Sequence, residues 1–377
     1  MIMFEHEDKL TPLDQNVGLA KKLEYIHTAL KERFPFIARI AAAIYDPKTD
    51  LLKTFIHSSS GDEPLSHYQA KLSESHSLRE ILEKGRPRVV NNLDIFSTVK
   101  KEHSKRISAQ GYHASYTMPI YSYGNFLGFL FFNSYEDTPF SEEVLKQVDP
   151  YGHLISLTII HELSAMHTLL ATVKTARDMT NVRDNETGSH LDRMSRYARL
   201  IASKLAEKHN LSDEYVENIF TFSPLHDIGK IGIPDDILLK PGNLTPDERE
   251  MMKQHTLKGR DLIDRMLGNF KLDGLQHIDM LRNIAELHHE SMDGTGYPHG
   301  RHGEDIPLES RIVAVADIFD ALTSRRPYKE AWDNDQALAC LKNLAGVKLD
   351  ADCVETLALS LAEVEEIQRQ FREDPLG

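Results

Sequence analysis

Eight side chains able to ligate a metal ion, Glu186, His190, His226, Asp227, His255, His288, His289 and Asp317, are spread over about 130 residues of this chain. Each stands in a setting that suggests a helix or a helix end. If they form one cluster, the fold must gather those helix ends around a common point. Imidazoles and carboxylates in that number suffice for two or three divalent ions rather than one.

The individual positions differ in what they imply. Glu186 and His190 stand four residues apart, so on a helix both point from one face. His226-Asp227 follows the apolar stretch IFTFSPL, where burying both groups is costly unless they are paired or bound to metal. The two oxygens of Asp227 also allow it to bridge two ions. His255 is expected in the middle of a helix running Leu244–Met266 that opens with Thr245-Pro246 and acids in its first turn. There it reads equally as a satisfied core histidine or as a ligand. His288-His289 ends the helical run RNIAELHH, and adjacent histidines can reach one metal only where the backbone turns. Asp317 sits inside IVAVADIFDAL, an otherwise apolar helix, where an unpaired carboxylate would cost several kcal/mol or take up a proton. Asp320, one helical step on, is read as supporting a ligand, with a ligand role of its own as the rival. A metal cluster of this make-up is suited to gripping a phosphate and activating water beside it. That points to a metal-dependent phosphohydrolase.

Composition leaves this open and closes other routes. The 377 residues are enough for roughly two domains. No apolar run approaches the roughly 20 residues of a membrane span, and Met1–Leu10 carries no signal-peptide pattern. Cys340 and Cys353 are the only cysteines, which excludes a disulfide framework or a thiolate zinc site and fits a reducing cytoplasm. A net charge of −14 argues against binding duplex nucleic acid.

The two halves of the chain read differently. Phe36 to Ser58 is two strand-like runs around an Asp-Pro-Lys-Thr-Asp turn. Ser77–Lys84 has helical spacing, RPRVVNNL from Arg86 reads as a strand, and Ser115 to Ser134 reads as a hairpin around Tyr-Gly-Asn. This predicts an α+β domain, an antiparallel sheet with flanking helices. A long helix is predicted over 152–183, with Ile159, Leu163, Met166, Leu170 and Val173 at the 4-3-4-3 spacing of a coiled-coil seam. We expect it to serve as a dimeric signalling helix; the plainer reading is a helix packing that stripe on its own domain. From residue 184 onward the pattern is almost wholly helical, as in HLDRMSRYARLIASKLAEK (His190–Lys208).

SYTMPIYSYGNFLGFLFFNS followed by PFSEEVLKQVDPYGHLI resembles a GAF domain over residues 19–162, after a tail at 1–18; NNLDIF at Asn91–Phe96 is a distant echo of the motif that cyclic-nucleotide-binding members use. The H…HD…D order is that of the HD phosphohydrolase superfamily. HDIGKIGIPDDILLKPGNLTPDE and the long motif from His288 to Trp332, with Gly296-Tyr297-Pro298, resemble the HD-GYP family, which places an all-α HD-GYP domain at 184–377. That resemblance implies His190, His226, Asp227 and Asp317 around one ion and His255, His288 and His289 around a second, with Asp227 between. It implies a third ion where Glu186 is present, and iron or manganese as the metals. It further implies a cyclic dinucleotide substrate, typically cyclic di-GMP, opened to linear pGpG and in some members on to GMP. Asp227 and Lys230 are the expected catalytic residues, and Lys230, Tyr297, Arg326 and Lys329 the expected substrate contacts. Tyr297 reads equally as a ring stacked on guanine or as one that packs its loop. His299 and His302, in a polar loop nearby, are expected to face solvent. The alternatives are a phosphodiesterase for another cyclic dinucleotide such as 3'3'-cyclic GMP-AMP, and a non-catalytic cyclic dinucleotide receptor. The GAF-like domain is expected to regulate the activity, with an unknown small molecule or none as its ligand.

Overall fold

The computed structural model describes residues 8–59, 67–93, 110–179, 188–270, 272, 277–324 and 331–372. The chain divides into two compact units, Met1–Ala165 with Ser212–Glu214, and Met166–Leu211 with Tyr215–Gly377.

The first unit holds helix α1 (Leu19–Arg33), strands β1 (Ile37–Asp46), β2 (Leu51–Ser59) and β3 (Gln69–Lys71), α2 (His76–Lys84), β4 (Arg88–Val90), β5 (Ala114–Ser122) and β6 (Asn125–Ser134). They form one antiparallel sheet in the order β3-β2-β1-β6-β5-β4, as the alternation predicted. The β5–β6 turn places Tyr123 and Gly124 at φ 48° and 80°. Two left-handed residues match the right-handed twist of the flanking strands, and glycine supplies one of them without steric cost. One sheet face packs Ile40, Met118, Leu130 and Phe132 against Leu23 and Ile26 of α1 and Ile155 of α3 (Glu142–Met179). The other packs Ala43 and Phe129 against Leu78 and Ile81 of α2. The Asn91 side chain ties two loop segments together, donating to Phe140 O at 3.1 Å and accepting from Phe140 N at 3.2 Å. The rest of the NNLDIF echo, from Asp94, lies outside the described residues.

Helix α3 corrects one expectation. It begins at Glu142, not near residue 152, and carries Pro150 inside. Proline removes one N–H there, and burial of Val148 and Ile155 holds the helix through it. Ile159 is fully buried in the first unit's core and Leu163 packs against that core, while Met166 belongs to the core of the second unit. Ile159 and Leu163 thus pack on the first unit, as in the plainer reading, whereas Met166 does not. The side chains of Leu170 and Val173, and residues 180–183, lie outside the described residues.

The second unit is helical: α4 (Gly188–His209), α5 (Asp213–Phe222), α6 (Asp235–Leu238), α7 (Pro246–Lys253), α8 (His255–Phe270), α9 (Ile278–Leu287), α10 (Leu308–Thr323), α11 (Asn334–Leu344), α12 (Ala351–Leu359) and α13 (Leu361–Gln370). Helix α10 is its axis. Ile312, Val313, Val315, Ala316 and Phe319 are buried, and it packs against α4, α9, α11 and α12. The single helix expected over Leu244–Met266 is two. Thr245 caps α7 as predicted, its hydroxyl accepting from Glu248 N while the Glu248 carboxylate accepts from Thr245 N at 2.7 Å. The helix then breaks at Gln254, so that His255 heads α8 instead of lying mid-helix. No described helix is long and apolar enough to cross a membrane.

Candidate metal centre

Seven of the eight expected ligands meet in the second unit as two groups: His190, His226 and Asp317, and Asp227, His255, His288 and His289. Within each group the donor atoms lie within 4.8 Å of one another. Glu186 lies outside the described residues.

The seven ligands arrive from five places in the chain. His190 is in the first turn of α4 and Asp317 projects from the middle of α10. His226 and Asp227 sit between two short 3-10 turns, Ser223–Leu225 and Ile228–Gly232, which carry the chain out of the apolar core. His255 heads α8, and His288-His289 follow the end of α9, where the helix gives way to a turn. Helix α8 comes close because residue 229 is glycine: a Cβ there would stand 1.8 Å from His255 O and 2.4 Å from Gly259 N.

The second nitrogen of each ring decides what the first can do. Nδ1 of His226 donates to Ser223 O at 2.9 Å, Nδ1 of His255 to Met252 O at 2.8 Å, and Nδ1 of His288 to Ile284 O at 2.8 Å. A carbonyl oxygen only accepts, so the proton must be on Nδ1, and in the neutral imidazole Nε2 keeps its lone pair. His190 Nδ1 stands 2.7 Å from an Asp320 carboxylate oxygen, with the same consequence. Burial pushes the His288 ring below the usual imidazole value. Burial, and then the neighbouring His288, push His289 well below it. Both directions favour the neutral ring, the form that ligates metal.

Asp227 faces both groups. Its Oδ1 lies 3.0 Å from His255 Nε2 and 3.6 Å from His288 Nε2, while its Oδ2 lies 3.3 Å from His226 Nε2 and 2.7 Å from Lys230 Nζ. Burial alone would raise this carboxyl, but Lys230 and the imidazoles of His226 and His255 outweigh it and hold it well below the usual carboxylate range. Asp317 Oδ1 lies 3.8 Å from His226 Nε2 and 4.0 Å from His190 Nε2. The inward nitrogens of His255 and His288 and Asp227 Oδ1 are buried yet make no hydrogen bond. Around an ion with bonds of about 2.1 Å, adjacent donors stand about 3 Å apart and opposite ones about 4 Å. The spacings, the tautomers and the buried, unsatisfied donors fit divalent metal, and nothing else among the described residues satisfies them.

Residues 181–353 match the family model described as the HD domain. The chain is 49% identical over 189 residues to the cyclic di-GMP phosphodiesterase response regulator RpfG of Xanthomonas campestris, covering 50% of this chain and 47% of that protein. It is 39% identical over 196 residues to a cyclic di-GMP phosphodiesterase of Thermotoga maritima, with 52% and 50% covered. It is 34% identical over 221 residues to the 3'3'-cGAMP-specific phosphodiesterase 2 of Vibrio cholerae, with 58% and 40% covered. The chain thus spans about half the length, or less, of these relatives. Among solved structures, the GAF domain of an Acinetobacter phosphoenolpyruvate-protein phosphotransferase is similar at 13% identity and a TM-score of 0.33, covering 41% of this chain and 90% of that one.

The loop 288–303 lies beside this site, with Tyr297 next to His255 and His289. Gly296 rests directly on the backbone of the ligand-bearing turn; a Cβ there would stand 2.3 Å from Ser291 N and 2.5 Å from Glu290 Cα. Glu290, buried, accepts from His299 N at 2.7 Å and Arg301 N at 2.9 Å and so fastens the loop from beneath. The Tyr297 ring lies 4.8 Å from the His289 ring, at 31°, and its N–H donates to His289 O. That contact seats Tyr297 beside the second histidine group. His299 and His302 have 43% and 73% of their side chains exposed, as expected of a polar loop, though His299 Nε2 also reaches Glu286 at 2.9 Å. Arg326 and Lys329 lie outside the described residues. The carbonyls that set the tautomers, the glycine approach at 229 and the role of Glu290 are all invisible in the motif pattern. Only Arg193, an arginine one turn after His190 on the helix's buried face, left a signal that could have been read.

Proposed function

We propose that this chain is a cyclic dinucleotide phosphodiesterase that opens cyclic di-GMP to pGpG. The observation that carries the reading is Asp227, one carboxylate with an oxygen turned to each histidine group, which suits it to bridge two ions. An all-oxygen-and-imidazole donor set suits iron or manganese. When bound, such ions supply charge neutralisation on a phosphate and lower the pKa of water toward neutrality. The chain's own residues do the rest. The carbonyl-fixed rings hold their donors without rearrangement, and Lys230, 2.7 Å from Asp227, places a positive charge beside the reacting phosphate. Substrate contacts at Lys230, Tyr297, Arg326 and Lys329, a third ion at Glu186, further hydrolysis to GMP and regulation by the GAF-like domain belong to the same proposal.

Relatives named for cyclic di-GMP and for 3'3'-cGAMP match 50% and 58% of the chain, so 3'3'-cyclic GMP-AMP is the second substrate to test. The experiment is a panel of cyclic dinucleotides incubated with anaerobically purified protein loaded with iron or manganese, with products separated chromatographically. Linear pGpG from cyclic di-GMP is expected. Metal-loaded protein that binds cyclic di-GMP and leaves it intact over hours would be a receptor, and the proposal would fall.

A further inference from the structure

His190 is the one described ligand whose outer nitrogen meets a carboxylate, and that carboxylate is itself clamped. Asp320 is fully buried. Its Oδ1 accepts from Arg193 Nε at 2.7 Å; its Oδ2 accepts from Arg193 Nη2 at 3.0 Å, from Ser324 Oγ at 2.8 Å and from His190 Nδ1 at 2.7 Å. The fork of Arg193 reaches further. Its Nη2 also donates to Ser324 Oγ at 2.6 Å, and its Nη1 donates to the backbone oxygen of Phe371 at 2.9 Å. Phe371 caps α13, and its ring lies 3.9 Å from the guanidinium carbon of Arg196, one turn further along α4. A continuous chain of contacts therefore runs from the turn after α13 to the imidazole of a metal ligand: Phe371, Arg193, Asp320, His190.

We infer that Arg193 and Asp320 are positioning residues for His190, and that the turn at Phe371 sets them, so that this late segment tunes metal affinity at the His190–His226–Asp317 group and not at the other. The inference rests on the metal-site reading above. The physical reason is geometric. A planar guanidinium with one edge on the carboxylate and one arm on a carbonyl has no freedom to rotate, so the carboxylate cannot either, and Nδ1 of His190 is held with its proton outward. Release of the third arm lets the pair turn, and Nε2 of His190 loses its aim. His255 and His288 are fixed by nearby backbone carbonyls, Met252 O in α7 and Ile284 O in α9, and are indifferent to the change.

The test is a manganese titration of the metal-free chain, read by calorimetry or chelator competition, which reports on each ion without reference to any substrate. In Asp320→Asn and Arg193→Lys, one of the two binding phases should weaken by about 10- to 100-fold while the other stays at the parent value. Truncation after Gln370 should weaken the same phase several-fold, and because it substitutes no buried side chain it carries the test if the buried substitutions fail to fold. Equal weakening of both phases, or a truncated chain with parent affinity for both ions, overturns the inference. A chain that shows the selective loss yet leaves every cyclic dinucleotide intact refutes the proposed activity and leaves this coupling standing.

Discussion

Replacing Gly229 with alanine tests whether the backbone contact between the His226-Asp227 segment and helix α8 assembles the second histidine group. The new Cβ would stand 1.8 Å from His255 O and 2.4 Å from Gly259 N. Atoms at that range must separate to about 3 Å, so α8 has to retreat by about 1.2 Å at the residue that carries the ligand. Metal ligands tolerate displacements of only about 0.2 Å. The retreat is several times that, and His255 Nε2, 3.0 Å from Asp227 Oδ1, is the donor that moves. Affinity for the ion held by His255, His288 and His289 should fall by at least about 100-fold, or about 2.8 kcal/mol. The overpacking itself costs about 1–3 kcal/mol and should lower the melting temperature in EDTA by a few to about ten degrees. Gly232→Ala is the matched control, because its Cβ would meet only the flexible Lys258 side chain, at 2.9 Å. Manganese titration and melting of both variants in EDTA separate the two effects. A Gly229→Ala chain that melts lower in EDTA but keeps parent affinity for both ions would refute the idea that this contact positions His255.

Three other outcomes are expected. Asp227→Ala should remove both ions together, since its two oxygens face the two groups; elemental analysis showing full metal content would sink the bridging assignment. Glu186→Ala should lower the metal content by about one ion per chain if that residue holds a third. Gly296→Ala should push the loop off the Glu290–Ser291 backbone and tilt Tyr297 away from His289, raising KM for the cyclic dinucleotide more than it lowers manganese affinity. Parent kinetics in that variant would show that the loop's approach does not matter.

Much of the fold was legible because local chemistry decides it. Two strands flank a Tyr-Gly turn whose left-handed residues only a primed hairpin uses, and Thr245-Pro246-Asp247-Glu248 can hardly be anything but a helix start. The failures are as local. Pro150 reads as a breaker, yet α3 runs through it because burial on both sides outweighs one lost hydrogen bond. The break at Gln254 leaves no signature, since QHTLKG has ordinary helical composition. The seam at Ile159 and Leu163 has coiled-coil spacing, but spacing cannot say whether the apolar stripe meets a partner or the chain's own sheet.

By itself the sequence determined which side chains are available and roughly where on helices they stand: seven of the eight expected ligands fall into two groups of donors within 4.8 Å. Donor types and helical settings are properties of single segments, and a linear pattern carries them. What only the tertiary structure decided is how those donors are aimed. Which oxygen of Asp227 faces which group, and what grips Asp320 and through it Nδ1 of His190, depend on groups up to 178 residues apart in the chain. Those contacts exist only once α4, α8, α9 and α10 have packed, because burial leaves each donor no water to turn to and one neighbour to face.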